Sequence, residues 1–125
     1  MKKFCLTIAL FVLAVAGACG QEKRYSLYGV AFYNLENLFD TIHDAGKNDY
    51  EYLPDGVNKW TGMKYKAKLH NMAKVISELC TDKLPGGPAV VGLSEVENDR
   101  VLTDLLAQPS LSGRGWKFVD YPGVD

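Results

Sequence analysis

The sequence predicts an α/β fold, because segments with the composition of strands alternate along the chain with segments that have the period of helices. Three strands are predicted, at 25–34, 89–95 and 115–120, and two helices, at 64–80 and 98–107. The alternation also predicts that the first two strands are neighbours in one sheet. Two polar clusters directly follow these two strands. Their position indicates where a functional site would lie.

The first 18 residues are predicted to be an export signal. Lys2 and Lys3 give the segment a positive start, and residues 4–16 are apolar except for Thr7. Small residues then follow and end at Ala18. The apolar stretch is shorter than the roughly 20 residues that a helix needs to span a bilayer, so a cleaved signal is favoured over an anchor.

Cys19 directly follows the small residues, and two processed forms fit this arrangement. The arrangement resembles a bacterial lipoprotein box, with residues 19–24 as a polar tether and a lipid on Cys19 as the sole membrane contact. That form would be an outer-membrane or cell-surface lipoprotein, whereas plain cleavage would give a secreted or periplasmic protein. Radioactive palmitate is expected to label the wild type and not Cys19→Ala, and an unlabelled wild type would exclude lipidation.

The composition indicates one modest folded domain. With 47% hydrophobic and 23% charged residues, the chain is neither disordered nor fibrous. A formal charge of −1 excludes a large basic surface that would bind nucleic acid by charge alone. Removal of residues 1–18 leaves Cys19 and Cys80 as the cysteines, so a lipid on Cys19 would exclude an internal disulfide.

The secondary structure of the first half of the domain is predicted from its aromatic residues and from the spacing of its apolar residues. Residues 25–34 (YSLYGVAFYN) are typical of a strand, 35–39 of a short turn or helical segment, and 43–62 of a polar surface loop. A loop of that length is uncommon unless it is functional or mobile. The helix at 64–80 is amphipathic, and its apolar stripe consists of Leu69, Met72, Ala73, Ile76 and Cys80.

The second half follows a sharp break at the sequence PGGP, residues 85–88. Residues 89–94 are a short apolar run typical of a strand that is buried on both faces. Asn98 or Asp99 is suited to cap the next helix, and 115–120 (GWKFVD) is predicted to be a third strand.

The two polar clusters are 34–37 (NLEN) and 95–98 (EVEN), each at the predicted end of a strand. Ligands of open α/β sheets bind beyond the carboxyl ends of strands. An oxygen-rich pocket there suits Mg²⁺, which usually takes one or two carboxylates together with water and substrate phosphate. The pattern alone leaves helix caps or solvated turns as the alternative.

Two motifs in these clusters resemble those of the endonuclease/exonuclease/phosphatase superfamily, the DNase I-like group. The first is 32–40 (FYNLENLFD), and the second is 92–98 (GLSEVEN), in which a Glu ends a buried strand. The forms of both motifs are similar to an exported bacterial branch of the group. The resemblance covers most of residues 25–125, and it implies the N-terminal part of a four-layer α/β sandwich.

The resemblance implies roles for three residues. Asn34 would help position the metal and the scissile phosphate, Glu95 would be the principal metal-ligating carboxylate, and Glu36 would match a second acidic ligand of some members. The implied cofactor is Mg²⁺, with Mn²⁺ as the alternative. Each residue also has an interpretation without a functional role. Asn34 could bond the neighbouring backbone, Glu95 could be a solvated turn residue, and Glu36 could be a cap or surface residue. Glu97 and Asn98 are interpreted as support for the following helix.

The implied function is that of a metal-dependent phosphoesterase acting on a phosphodiester or phosphomonoester, with nucleic acid among the candidate substrates. The family also uses a His–Asp pair and an Asp-x-Asn motif further along, and neither His43 nor His70 matches the catalytic His. We therefore expect the 125 residues to be an N-terminal fragment, inactive alone, of a longer domain. The alternative is a non-catalytic exported surface or binding protein that keeps the fold.

The remaining polar and aromatic side chains are interpreted as structural. His43 is expected in a solvated loop and His70 at the boundary of the apolar stripe of the helix. Trp60 and Trp116 are expected to pack, with stacking on a substrate as the alternative for Trp60. The lysines of the helix are expected to be solvated; they are Lys64, Lys66, Lys68 and Lys74.

Overall fold

The computed structural model describes residues 24–121. The predicted export signal at 1–18, Cys19 and nearly all of the tether lie outside the described residues, as do residues 122–125. The regular elements are β1 (Val30–Leu38), α1 (Gly62–Glu78), β2 (Val90–Val96) and α2 (Asp99–Leu106), with single 3₁₀ turns at Tyr50–Tyr52 and Ser112–Arg114. Neither helix of this described part is long and apolar enough to cross a membrane.

The sheet consists, over residues 24–121, of β1 and β2 paired in parallel. The register runs from Val30 opposite Val90 to Asn34 opposite Ser94, which confirms that the two strands are neighbours. Residues 25–29 were expected to be part of the first strand, but they are irregular. The ladder begins only where β2 offers a partner, at Val90.

Beyond Asn34 the register shifts. The next pair is Leu38 with Val96, so β1 advances from residue 34 to 38 while β2 advances only from 94 to 96. β1 therefore carries a bulge of two extra residues at its carboxyl end. The expectation of a separate turn or helical segment at 35–39 is wrong, because Leu35 and Leu38 are both buried and keep this segment in the strand.

Helix α1 follows the predicted period. It begins after Thr61, whose hydroxyl accepts a hydrogen bond from the Lys64 N–H at 3.5 Å. Leu69, Ala73 and Ile76 are buried, as the apolar stripe predicts. The helix ends at Glu78 because Leu79 is extended and Cys80 is left-handed, with φ of 60°.

The core lies between β1 and the two helices. Leu35 and Leu38 supply it from β1, and burial of each such side chain stabilises the fold by roughly 1.5–3 kcal/mol. The other buried members are Tyr65, Leu69, Ala73, Ile76, Val101, Leu105 and Leu111. Since Leu35 and Leu38 flank the two exposed residues between them, the core fixes both ends of the bulge.

The third predicted strand is wrong for the described residues, because 115–120 has no regular secondary structure. A strand needs a neighbour for its backbone hydrogen bonds, and this segment pairs with neither β1 nor β2. Its residues Trp116, Phe118 and Val119 instead line, together with β2, a largely apolar cavity of about 480 Å³. Of these three side chains only Trp116 packs against the core, whereas Phe118 and Val119 are exposed.

Candidate functional site

The carboxyl ends of the two parallel strands bring Asn34 and Glu95 together, although they are 61 positions apart. Asn34 Nδ2 donates to Glu95 Oε1 at 2.6 Å, and Asn34 Oδ1 accepts from the Glu36 N–H at 2.6 Å. The Glu36 N–H can only donate, so the amide oxygen has to face it and the amide nitrogen has to face Glu95. The second oxygen of Glu95, Oε2, accepts from the Asn37 N–H at 3.1 Å.

The backbone at this site is held in an unfavourable conformation. Glu36, Asn37 and Glu95 have φ of 51°, 59° and 59°, in the left-handed region that residues with side chains rarely adopt. Each such residue costs on the order of 1 kcal/mol and persists only where its surroundings enforce it. The hydrogen bonds of Asn34 and Glu95 supply part of that enforcement. Such conformations cluster at functional sites in proteins.

Lys68 of α1 joins the site, and sequence reasoning missed it. Its side chain is half-buried, and its ammonium group donates to the carbonyl oxygens of Glu36 and, at 3.2 Å, of Asn37. Burial lowers the pKa of this ammonium, while the nearby charges of Glu36 and Glu95 act to raise it. The sequence does indicate that Lys68 lies near the buried side of the helix. Tyr65 and Met72, three and four positions away, are both on that side.

An aromatic wall, formed by Phe39, Tyr52 and Trp60, lies beside Lys68. The Phe39 and Tyr52 rings stack with centroids 4.1 Å apart, and Trp60 meets Tyr52 edge-on at 6.5 Å. Trp60 Nε1 donates to the Phe39 carbonyl at 2.9 Å, so Trp60 packs as expected. The Lys68 ammonium lies 5.7 Å from the Trp60 ring centroid. Burial raises the pKa of Tyr52, with further contributions from the Glu51 and Glu95 charges.

A second group of polar residues lies next to this site, at the start of α2. We call Asp40, Asp44, Asp49 and Glu97 the acidic cluster. Arg100 is its cationic partner, with Nε 2.5 Å from Asp40 Oδ2 and a terminal nitrogen 2.9 Å from Asp44 Oδ1. Hydrogen bonds from the side chain of Arg100, and then from that of Asn98, lower the pKa of Asp44.

Asn98 supports the following helix, as interpreted from the sequence, whereas Glu97 supports the backbone at Asp40 instead. Asn98 caps α2 by accepting from the Val101 N–H at 3.0 Å. Glu97 Oε2 accepts from the Asp40 N–H at 2.8 Å. Burial, and then the charges of the three aspartates of the acidic cluster, raise the pKa of Glu97 to about 7.

The two histidines differ in how well they match their expected environments. His43 is exposed in a loop, as expected, but its Nδ1 lies 2.5 Å from Asp49 Oδ1 and its ring stacks on Tyr50 with centroids 4.6 Å apart, so these contacts also anchor it. Asp49 is only 2% exposed, because the loop folds back over it. His70 is exposed on α1 and does not pack at the boundary of the apolar stripe.

The donor set of the site fits a hard divalent cation. The carboxylates of Glu95 and Glu36 are exposed, and no described donor bonds the side chain of Glu36. Over residues 24–121 no group of three or more His, Cys, Asp or Glu residues could hold a metal by itself. Mg²⁺ usually needs only one or two carboxylates, because water and substrate phosphate complete its shell. Asn34 uses both amide atoms on protein partners, which makes it the residue that orients Glu95.

These features define an α/β protein with a carboxylate–amide site at the carboxyl ends of two parallel strands. Residues 29–125 match the model of the endonuclease/exonuclease/phosphatase family, and the chain belongs to that family. The predicted family and the predicted α/β fold class are therefore confirmed. Proteins of this family generally hydrolyse phosphoester bonds and typically depend on a divalent metal. No curated protein and no solved structure matches the chain.

Proposed function

We propose that the protein is a Mg²⁺-dependent phosphoesterase, with Mn²⁺ as an alternative ion, and that Glu95 is the principal metal ligand. The observation that carries this proposal is the hydrogen-bonded unit of Asn34, Glu95 and the Asn37 N–H, built on left-handed backbone where the two strands end. A carboxylate that only needed solvation would not require such a costly backbone conformation. The substrate is a phosphodiester or phosphomonoester, and nucleic acid is one candidate.

The described residues have distinct roles in the proposed reaction. A bound Mg²⁺ would polarise a phosphoryl oxygen and stabilise the charge that develops during transfer. Glu95 provides a negatively charged ligand whose orientation is fixed at both oxygens. Asn34 holds Glu95 from a neutral amide, which adds no repulsion toward a phosphate. Glu36 adds a second carboxylate beside Lys68.

Activation of the attacking water is assigned to residues other than the two histidines. His43 is bonded to Asp49, and neither His43 nor His70 hydrogen-bonds to Asn34 or Glu95. We propose that the part of the protein described by the structure binds metal and phosphate, and that residues 24–121 alone are inactive. The side chains of the site can bind a metal and a phosphate, but none of them is placed to act as a general base that activates water.

The test is hydrolysis of bis-p-nitrophenyl phosphate, p-nitrophenyl phosphate and linear DNA by the full-length protein that its gene encodes. We expect turnover in Mg²⁺, loss of turnover in EDTA, and recovery when Mg²⁺ or Mn²⁺ is restored. Turnover that persists in EDTA would refute metal dependence. Absence of turnover on all three esters with either ion would favour the alternative, a non-catalytic exported binding protein.

A further inference from the structure

Lys68 and Glu95 contact opposite ends of one peptide group. The Lys68 ammonium donates to the carbonyl oxygen of Glu36, and Glu95 Oε2 accepts from the N–H of Asn37. That carbonyl and that N–H belong to the same peptide bond, which is planar and trans, so they point in opposite directions. A rotation of this peptide group would therefore break both contacts together.

The bulge leaves this peptide group without support from the sheet. Between Asn34 and Leu38 the register of β1 against β2 is interrupted, so the Glu36 carbonyl has no partner in the ladder. The residues on both sides of the peptide bond, Glu36 and Asn37, are left-handed. Lys68 supplies the missing donor, and a second of its bonds reaches the next carbonyl, that of Asn37, at 3.2 Å.

We propose that Lys68 is a positioning residue for the metal site, acting through the peptide group between Glu36 and Asn37 to fix the orientation of the Glu95 carboxylate. This proposal rests on the proposed function, since it assigns Glu95 to a metal. Lys68 itself contacts main-chain oxygens and neither ligand carboxylate. Its effect on metal binding is thus transmitted through the backbone.

The charge of Lys68 makes the proposal easy to distinguish from simple electrostatics. A cation near Glu36 and Glu95 repels a divalent metal, so loss of that charge alone would strengthen metal binding. Loss of the positioning bonds would weaken it, because the Asn37 N–H would no longer be directed at Glu95. The two mechanisms therefore predict opposite signs for the same substitution.

The test compares Lys68→Met, Lys68→Arg and the matched control Lys66→Met in the full-length protein. Lys66 lies on the same helix, is exposed and carries the same charge. Titration with Mn²⁺, followed by electron paramagnetic resonance, is expected to show affinity about 10-fold weaker in Lys68→Met, as for other residues that orient metal ligands. Lys68→Arg should recover most of the affinity, and the control should equal the wild type. Unchanged or tighter binding in Lys68→Met would overturn the proposal.

A second measurement does not depend on the metal. In the metal-free protein, hydrogen exchange of the Asn37 N–H is expected to be at least about 10-fold faster in Lys68→Met and unchanged in Lys66→Met. A wild type that binds no Mn²⁺ would refute the proposed function, and equal exchange in wild type and Lys68→Met would refute the role of Lys68. A raised substrate KM with unaltered metal affinity and exchange would also refute it, because Lys68 would then contact substrate.

Discussion

Glu95→Gln is expected to reduce kcat/KM of the full-length protein for a phosphodiester by about 100-fold to 1,000-fold, more than loss of a residue that only orients a ligand. The substitution removes the negative charge that we assign to the metal and leaves the volume of the side chain unchanged. It is therefore a sharper test of the proposed ligand than Glu95→Ala, which also leaves a space. Activity is to be measured over a range of Mg²⁺ concentrations, so that weaker metal binding and slower chemistry can be separated.

The local hydrogen bonds make glutamine a poor substitute at this position. Both oxygens of Glu95 accept from groups that can only donate there, Asn34 Nδ2 and the Asn37 N–H. A glutamine amide has one oxygen, so its NH₂ group would have to face one of these two donors. We therefore expect the hydrogen-bonded unit to open in Glu95→Gln, in addition to the loss of charge.

Glu78→Gln is the matched control, since Glu78 is exposed at the end of α1 and its carboxylate makes no described hydrogen bond. It should retain wild-type kcat/KM. If Glu95→Gln turned over substrate at the wild-type rate and with the wild-type Mg²⁺ requirement, Glu95 would not be a metal ligand. Circular dichroism of both variants checks that any loss is not a loss of fold.

The elements with strong local patterns could be predicted from the sequence. The stripe of α1 places Leu69, Ala73 and Ile76 in the core, and the structure buries all three. The two strands are neighbours because an α/β alternation leaves few other arrangements, and this pairing brings Asn34 next to Glu95. Topology and pattern together thus predicted that these two residues are neighbours, although Asn34 and Glu95 lie within β1 and β2 and not after them.

The bulge and the role of Lys68 could not be predicted in the same way. The segment 35–37 contains no Gly, the residue type that would indicate a left-handed backbone. Its conformation follows instead from burial of Leu35 and Leu38. The partners of Lys68 are main-chain oxygens 32 and 31 positions away, which no side-chain pattern reveals. The predicted strand at 115–120 is wrong because apolar alternation does not by itself show whether a hydrogen-bonding neighbour exists.

The acidic cluster shows the same limit for charged residues. His43 and Asp49 lie in a stretch whose composition is typical of a solvated loop, yet Asp49 is buried and accepts from the Asp44 N–H at 2.7 Å. Arg100 is the strong cationic partner of this group, and its two aspartates precede it by 60 and 56 positions. These contacts hold the loop against α2, and Arg100 is the cation on which they centre.

Arg100→Gln is expected to lower the free energy of unfolding by about 2–3 kcal/mol at pH 7. Asp40 is 5% exposed, and without Arg100 its charge would remain near Asp44 and Glu97 with no cation to offset it. The side chain of Arg100 is 42% exposed, so solvent weakens its ion pairs. The expected loss of unfolding free energy is therefore smaller than for a fully buried ion pair. Lys74→Gln, which removes one charge from an exposed position of α1, should change stability by less than about 0.5 kcal/mol.

The pH dependence has a definite sign. Arg100 lowers the pKa of Asp44 in the folded protein. The contribution of this ion pair to the free energy of unfolding is therefore complete above the ordinary pKa of 3.8 and is lost as the pH falls below it. The difference between wild type and Arg100→Gln should therefore be constant from neutrality down to about pH 4 and shrink on further acidification. Glu97 acts in the other direction, since its raised pKa lowers stability as the pH rises from about 4.5 to 7. That contribution is common to both proteins and largely cancels in the difference.

Asp40→Asn provides the decisive second substitution. An asparagine at position 40 can still accept from the Ile42 N–H, as Asp40 does at 2.6 Å, while it carries no charge. If an unpaired buried carboxylate causes the loss, Arg100→Gln combined with Asp40→Asn will be more stable at pH 7 than Arg100→Gln alone. Urea unfolding of the four proteins of this cycle measures the coupling directly. Equal effects of Asp40→Asn in the presence and absence of Arg100 would show that the Arg100–Asp40 pair contributes nothing. The loop would then be held by the other contacts, which are those of Asp44 with Arg100 and Asn98, of Asp49, and of Glu97.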